Sequence, residues 1–332
     1  MDAGGSATVK RSRLLAGVLA VAIVIVAGYF GLAVAVYESV SRVEPHCDGR
    51  FGENTPVSWT PPSWSRADFD ASRYFMPEFE AVRFAARDAA LELHAWWVPA
   101  ADGFSAPTVI AIHGLGSCIR DREALLPAGM LSASGYSVLL LDLRDHGESS
   151  VEDGRMAGGT EEYRDVMAAV DWLIAQGAEP DRIGALGASM GAATAIVAGG
   201  QDERIAAVWA DTSYADIETR IAEELEARGF PRLFAPAASL VARVLAGDDY
   251  AAHTMLGEIA KMGERPVFIT HGALDQTTVV SHAHALVDAA EAAGIPLETW
   301  IVEDAGHVEA MFLRADQYQQ RLDAFFGEAL GR

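Results

Sequence analysis

The hydrophobic and polar positions divide the chain into three regimes. From Leu14 to Tyr37 every residue is uncharged and nearly all are apolar, on all faces of any helix they form. About 20 apolar residues at about 1.5 Å of rise each cross the hydrocarbon core of a bilayer, so this run predicts a transmembrane helix. Residues 38–65 lose that pattern. Pro45, Pro56, Pro61 and Pro62 break helices, and Gly49, Gly52 and Asn54 supply turn chemistry, as in a linker. Trp59 and Trp64 suggest that the end of this linker packs against the folded region C-terminal to it.

From about residue 80 short apolar runs alternate with stretches of helical spacing. Val82–Ala86 and Ala90–Val98 read as a β-hairpin. Thr108–His113, Ser137–Asp142, Arg182–Gly187, Ile205–Asp211, Pro266–His271 and Leu297–Val302 read as further strands. Helical stretches at 120–134, 161–176, 190–200, 280–293 and 308–328 separate or follow them. Continuous apolar strands alternating with helices predict an α/β fold, a mostly parallel, doubly wound sheet covered on both faces. The interval 212–264 breaks the rhythm with helices and Gly/Pro interruptions between two strands, and is expected to be a cap over the sheet's active edge. The expected organisation is a basic tail at 1–13, a transmembrane helix at 14–37, a linker at 38–65 and a catalytic domain at 66–332.

Composition narrows the function classes. With 25 Lys and Arg against 47 Asp and Glu, the net charge of −22 argues against nucleic-acid binding, which needs clustered basic residues. A hydrophobic fraction of 51% argues against disorder. Cys47 and Cys118 show no metal-ligand spacing; Cys118 is expected to be a buried thiol, with a bridge to Cys47 left open. Lys10, Arg11 and Arg13 precede the apolar run, so the positive-inside bias puts the N-terminus in the cytoplasm and the catalytic domain outside. Ala33-Val34-Ala35 resembles a cleavage site, which leaves secretion after signal removal as the alternative.

In open α/β sheets chemistry gathers at the carboxyl ends of the strands. Gly187-Ala188-Ser189-Met190-Gly191 fits G-x-S-x-G between a strand and a helix, where a tight turn needs glycine on both sides of an exposed serine. A serine hydroxyl needs a base, and the base an orienting acid. His307 follows the last strand, and Asp275 lies four residues beyond a strand end, with Asp211 and Asp304 as rivals for the acid. The other histidines are weaker candidates. His113 and His271 read as loop-shaping residues, and His282 and His284 are wrongly spaced for joint metal ligation. The backbone amides of Leu115, in His113-Gly114-Leu115-Gly116, and of Met190 are the expected oxyanion donors.

These motifs, with DLRDHGES at 142–149, HGALD at 271–275 and AGH at 305–307, resemble α/β-hydrolases of the prolyl-oligopeptidase-like and dienelactone-hydrolase-like branch over residues 80–328. Asp145 departs from the glycine that related sequences carry there, which puts the shape of that loop in question. The resemblance implies a serine hydrolase with a Ser189–His307–Asp275 triad and no metal or organic cofactor. The expected substrate is a small ester or acyl compound, with the membrane as a partner through the N-terminal helix. A peptidase or amidase of the same fold and a non-catalytic binding protein are the alternatives, and no gating propeller is read ahead of the catalytic region. Oligomeric state and acyl-chain length stay open.

Overall fold

The computed structural model describes residues 3–47, 51–88 and 90–332. Helix α1 runs from Ala3 to Ser41. Strands β1 (Glu80–Ala85) and β2 (Glu92–Val98) form the expected hairpin, followed by β3 (Thr108–Ile112), α2 (Arg122–Ala133) and β4 (Ser137–Leu141). Then come α3 (Tyr163–Ala175), β5 (Ile183–Ala188), α4 (Met190–Gln201) and β6 (Ala207–Asp211). Three helices, α5 (Ile217–Ala227), α6 (Ala235–Leu245) and α7 (Met255–Ile259), separate β6 from β7 (Val267–Gly272). Helix α8 (Ser281–Ala293), β8 (Leu297–Val302), α9 (Ala310–Leu313) and α10 (Ala315–Ala329) complete the chain. The terminal helix read at 308–328 is thus two, parted at Arg314, whose φ of −130° and ψ of 38° leave the helical region.

The strands lie in the order β1-β2-β4-β3-β5-β6-β7-β8 in one sheet. From β4 to β8 all neighbours are parallel, while β1 and β2 run antiparallel at one edge. Strands β3 and β4 are buried at every position, as TVIAI and SVLLL require when helices cover both faces. On one face α2 and α10 pack with Tyr74, Trp209 and Phe268; on the other lie α3, α4, α7 and α8. The apolar stripe of α10, Tyr318, Leu322, Phe325 and Phe326, has the spacing of a single helix face. Helix α4 is instead buried on nearly all sides, which its Ala- and Gly-rich sequence MGAATAIVAGGQ permits by letting neighbours approach closely.

Helix α1 divides along its length. Leu14, Val18, Val21 and Ile25 are exposed, and Arg13–Ser41 is long and apolar enough to cross a membrane. Beyond Tyr29 the same helix joins the domain: Ala33, Val36 and Tyr37 are buried, and the Tyr37 hydroxyl donates to Asp248 at 3.0 Å. Of the stretch expected as a linker, residues 38–47 and 51–65 are folded on to the domain. Val43 N–H donates to the Gly154 carbonyl, Trp59 is buried against Phe69 and Phe75, and Cys47 forms a disulfide with Cys118. Cys118 is therefore bridged, and the prolines shape an ordered path rather than a free tether. The packing of Trp59 is as the sequence suggested, but the earlier part of the stretch was expected to be free because proline and glycine report the absence of regular structure, which is not the absence of packing.

Candidate active site

Strand β5 delivers Ser189 at the first turn of α4. Its φ of 55° and ψ of −118° put a non-glycine residue in a strained backbone region, which persists only where surroundings fix it. They do so here. Ser189 N–H donates to the Asp211 carbonyl at 2.8 Å, and the carbonyl of Ser189 accepts from Ala192 and Ala193. A Cβ on Gly187 would collide with the Gly191 carbonyl oxygen, and one on Gly191 would collide with that of Ile112. Both glycines of the pentapeptide are thus steric requirements of the turn.

Three sequence-predicted residues converge at this turn. His307 Nε2 lies 3.0 Å from Ser189 Oγ, and His307 Nδ1 lies 2.7 Å from Asp275 Oδ2. The carboxylate can only accept, so Nδ1 carries the proton and Nε2 is left to accept from the serine hydroxyl. Asp275 Oδ1 accepts from the amides of Thr277 and Thr278 at 2.8 and 2.9 Å. Burial alone would raise the Asp275 pKa, but the His307 hydrogen bond and charge, with those two amides, outweigh it and hold the carboxyl below its ordinary value. The rival acids are elsewhere. Asp211 is buried, accepts from the Tyr318 hydroxyl at 2.8 Å and is pushed up to about 7 by burial, while Asp304 pairs with Arg314.

Gly114, Leu115, Ser189, Met190 and His307 share the wall of one cavity of about 430 Å³. Among the described residues neither the Leu115 nor the Met190 amide has a hydrogen-bond acceptor, so both remain available to an oxyanion beside Ser189. Two histidines fix the Leu115 loop. His113 Nε2 accepts from Leu143 N–H at 3.2 Å, which leaves Nδ1 to donate to the Gly114 carbonyl at 2.8 Å. Burial and the neighbouring His146 lower the His113 pKa to about 4, so the ring stays neutral in that role. His146 Nε2 accepts from Gly116 N–H, and its ring packs 5.0 Å from that of His113. His271 donates to the Thr278 carbonyl at 2.7 Å and supports the Asp275 turn.

Other assignments separate along the same lines. Asp145, the departure from glycine, adopts a φ of 61°, and its carboxylate accepts from the amides of Glu152, Asp153 and Gly154. Those three bonds give the side chain a structural use that glycine lacks. His94, which had no evident partner in the sequence, holds Asp142 at 2.8 Å; Asp142 also accepts from the amides of Ile119 and Glu148 and so clamps the two loops together. His282 pairs with Glu223 of α5 at 2.9 Å and accepts from Ala215 N–H, which ties the inserted helices to α8. Among the described residues no group of His, Cys, Asp and Glu is arranged to hold a metal.

The opposite wall is built by the segment expected as a cap, 212–264, although its individual residues were not predicted. Ile217, Arg220, Ile221, Glu224 and Arg228 of the inserted segment line it, with Val40 of α1, Phe51 and Glu123. Glu224 accepts from Arg220 and Arg228 at 2.8 and 2.7 Å. Burial, and then the charge of Asp121, push the Glu123 carboxyl above its ordinary value. The only available signal was the amphipathic spacing of Ile217, Ile221 and Leu225, which reports an apolar face without saying what it covers.

The sequence pattern of the prolyl oligopeptidase family matches residues 127–332, well over half of the chain. The chain belongs to the prolyl oligopeptidase family. It has the α/β-hydrolase fold. Esterase Pf2001 of Pyrococcus furiosus superposes with a TM-score of 0.63 at 23% identity, covering 82% of this chain and 100% of that one. The acylaminoacyl peptidase of Pyrococcus horikoshii gives a TM-score of 0.57 at 15% identity, covering 76% of this chain and 42% of that one. In sequence the chain is 29% identical to thiohydrolase aneE of Aspergillus aculeatus over 164 residues, 48% of this chain and 50% of that protein. The aligned stretches span 41% to 50% of the curated relatives it matches.

Proposed function

We propose that this member of the prolyl oligopeptidase family is a membrane-anchored serine hydrolase that cleaves carboxylic esters or thioesters through an acyl-enzyme. The observation that carries the reading is the unbroken relay from Ser189 Oγ to His307 to Asp275, at 3.0 and 2.7 Å. In the first half-reaction Ser189 attacks the substrate carbonyl while His307 Nε2 takes its proton; the Asp275 carboxylate keeps Nδ1 protonated and offsets the imidazolium charge. The Leu115 and Met190 amides stabilise the oxyanion, an interaction that strengthens as charge develops. The imidazolium returns its proton to the leaving alcohol or thiol. In the second half, water attacks the acyl-enzyme while giving a proton to His307, and the imidazolium returns that proton to Ser189 Oγ as the acid is released. Metal or organic cofactors take no part in these steps.

Ester or thioester preference over peptides rests on three supports. The cavity walls are small inserted helices, a full-length fold neighbour is an esterase, and a sequence relative is a thiohydrolase. The peptidase or amidase alternative is supported by the family itself. Turnover of short p-nitrophenyl esters against aminoacyl p-nitroanilides, on the wild type and on Ser189→Ala, separates the two. Ester turnover should exceed amide turnover by at least about 100-fold, and both should vanish in the variant. Equal or greater amide turnover overturns the ester assignment, and full activity in the variant overturns the triad.

Retention of α1 as an anchor, with the basic tail inside and the domain at 66–332 outside, belongs to the same proposal. Support comes from the packing of Tyr29 and Ala33 against the domain, because cleavage after Ala35 would remove both with that part of the helix. The Cys47–Cys118 bridge also favours an oxidising compartment. Protease added to intact cells should reach the domain, and full protection would reverse the topology.

A further inference from the structure

The uncharged part of α1 outside the domain, residues 14–28, is too short for a bilayer. Residues 13–28 are exposed, and the first half-buried side chain is Tyr29, whose hydroxyl donates to the Leu233 carbonyl at 2.7 Å and whose ring stacks on Phe234 at 5.3 Å. Leu14 to Tyr29 rises about 24 Å at ~1.5 Å per residue, whereas the hydrocarbon core measures about 30 Å. A span that begins after Arg13 therefore meets the domain about 6 Å before it leaves the hydrocarbon, and tilt widens the shortfall.

The domain presents suitable chemistry at that level. Helix α6 runs alongside α1 in the same direction, since Tyr29 meets Leu233 and Tyr37 meets Asp248. The turn before α6, Arg228-Gly229-Phe230-Pro231-Arg232-Leu233-Phe234, is thus its end nearest the apolar run. Phe230 is 44% and Leu233 58% exposed, and no acid interrupts the segment although the chain carries a net charge of −22. Exposed apolar side chains flanked by arginines suit the boundary between acyl chains and headgroups, and the arginine charges are balanced locally, Arg228 by Glu224 and Arg232 by Glu226. Arg228, two residues before Phe230, also lines the cavity that contains Ser189, and so does Val40 of α1.

We propose that the 228–234 turn is a second membrane contact, seated in the outer few ångströms of the hydrocarbon beside α1, and that the cavity takes neutral acyl esters dissolved in the bilayer. This deepens the hydrolase reading and rests on the anchor reading. The excess of acids elsewhere disfavours anionic lipid substrates.

The test uses the full chain in phosphatidylcholine vesicles. The native cysteines are bridged, so Leu233→Cys accepts a nitrobenzoxadiazole label alone, with exposed Glu298→Cys on β8 as the reference. Label at 233 should emit to the blue of label at 298 and be quenched at least twofold more by doxyl lipid. Equal water-like emission at both sites overturns the contact. Leu233→Glu should keep p-nitrophenyl acetate turnover within twofold while losing at least tenfold on dioleoylglycerol in the vesicles. Wild-type turnover of the diacylglycerol by that variant overturns bilayer loading. A quenched label in a wild-type protein inactive on every ester retains the contact and removes the hydrolase reading instead.

Discussion

On one side of the cavity Ser189, Met190, Leu115 and His307 hang from turns at strand ends, each held by backbone hydrogen bonds or by buried histidines. On the other side Ile217, Ile221, Arg220 and Arg228 project from inserted helices, and Val40 projects from α1. The sheet wall is over-determined: it holds a strained serine backbone and fixes which nitrogen of His307 carries the proton. The inserted wall rests on one apolar face and on partly exposed ion pairs such as Arg228–Glu224, each worth about 0–1 kcal/mol. Chemistry that tolerates little displacement sits on the first wall, and features that select a substrate sit on the second, where changes cost little stability.

The largest effect that tests this division is on the nucleophile. Ser189→Ala should lower ester turnover by at least about 10⁴-fold with little change in melting temperature, since a small side chain is lost from a turn held by its backbone. Next come the two aspartates at neighbouring strand ends. Asp275→Asn should cost about 10³–10⁴-fold in kcat through the wrong His307 tautomer, whereas Asp211→Asn should stay within about fivefold. Comparable losses in the two variants would mean that the acid is shared. Replacing Cys47 by serine releases a closed loop with a sequence separation of 71 residues and should cost about 2–4 kcal/mol in denaturant unfolding. Ile221→Ala should alter KM for long-chain esters by less than about tenfold and leave kcat for the acetyl ester within about twofold; a large kcat loss there would erase the distinction between the walls.

A further predicted effect is in pH dependence. Asp211 is raised to about 7 in the folded protein, so between the ordinary carboxyl range and that value the folded state holds a proton that the unfolded chain has released. Its contribution to stability is lost as pH rises from about 4 to about 7. Asp211→Asn removes that slope, and its melting temperature relative to the wild type should climb over the same interval. A parallel pair of curves would show that Asp211 is ionised in the fold.

Much of the sheet wall was legible in the sequence because its requirements are local. Gly187 and Gly191 mark a turn with no room for a side chain, and fully apolar runs such as SVLLL mark strands covered on both faces. His113 and His271 at strand ends gave their loop-shaping roles by position. Of the other wall only the cap itself, 212–264, was legible; its lining residues meet only through tertiary packing, as Val40, 149 positions from Ser189, and Glu123, buried near Asp121, illustrate. In the 38–65 stretch the tryptophans announced packing at its end, but the pairing of Cys47 leaves no periodic trace and was left open.

The central claim is that Ser189 forms the covalent intermediate. Full-length protein treated with a fluorophosphonate and digested for mass spectrometry tests it directly. The account predicts one adduct, on the peptide carrying Ser189, absent after denaturation and reduced at least about 100-fold in rate by His307→Ala. An adduct on another residue, or undiminished labelling of Ser189→Ala, would contradict it.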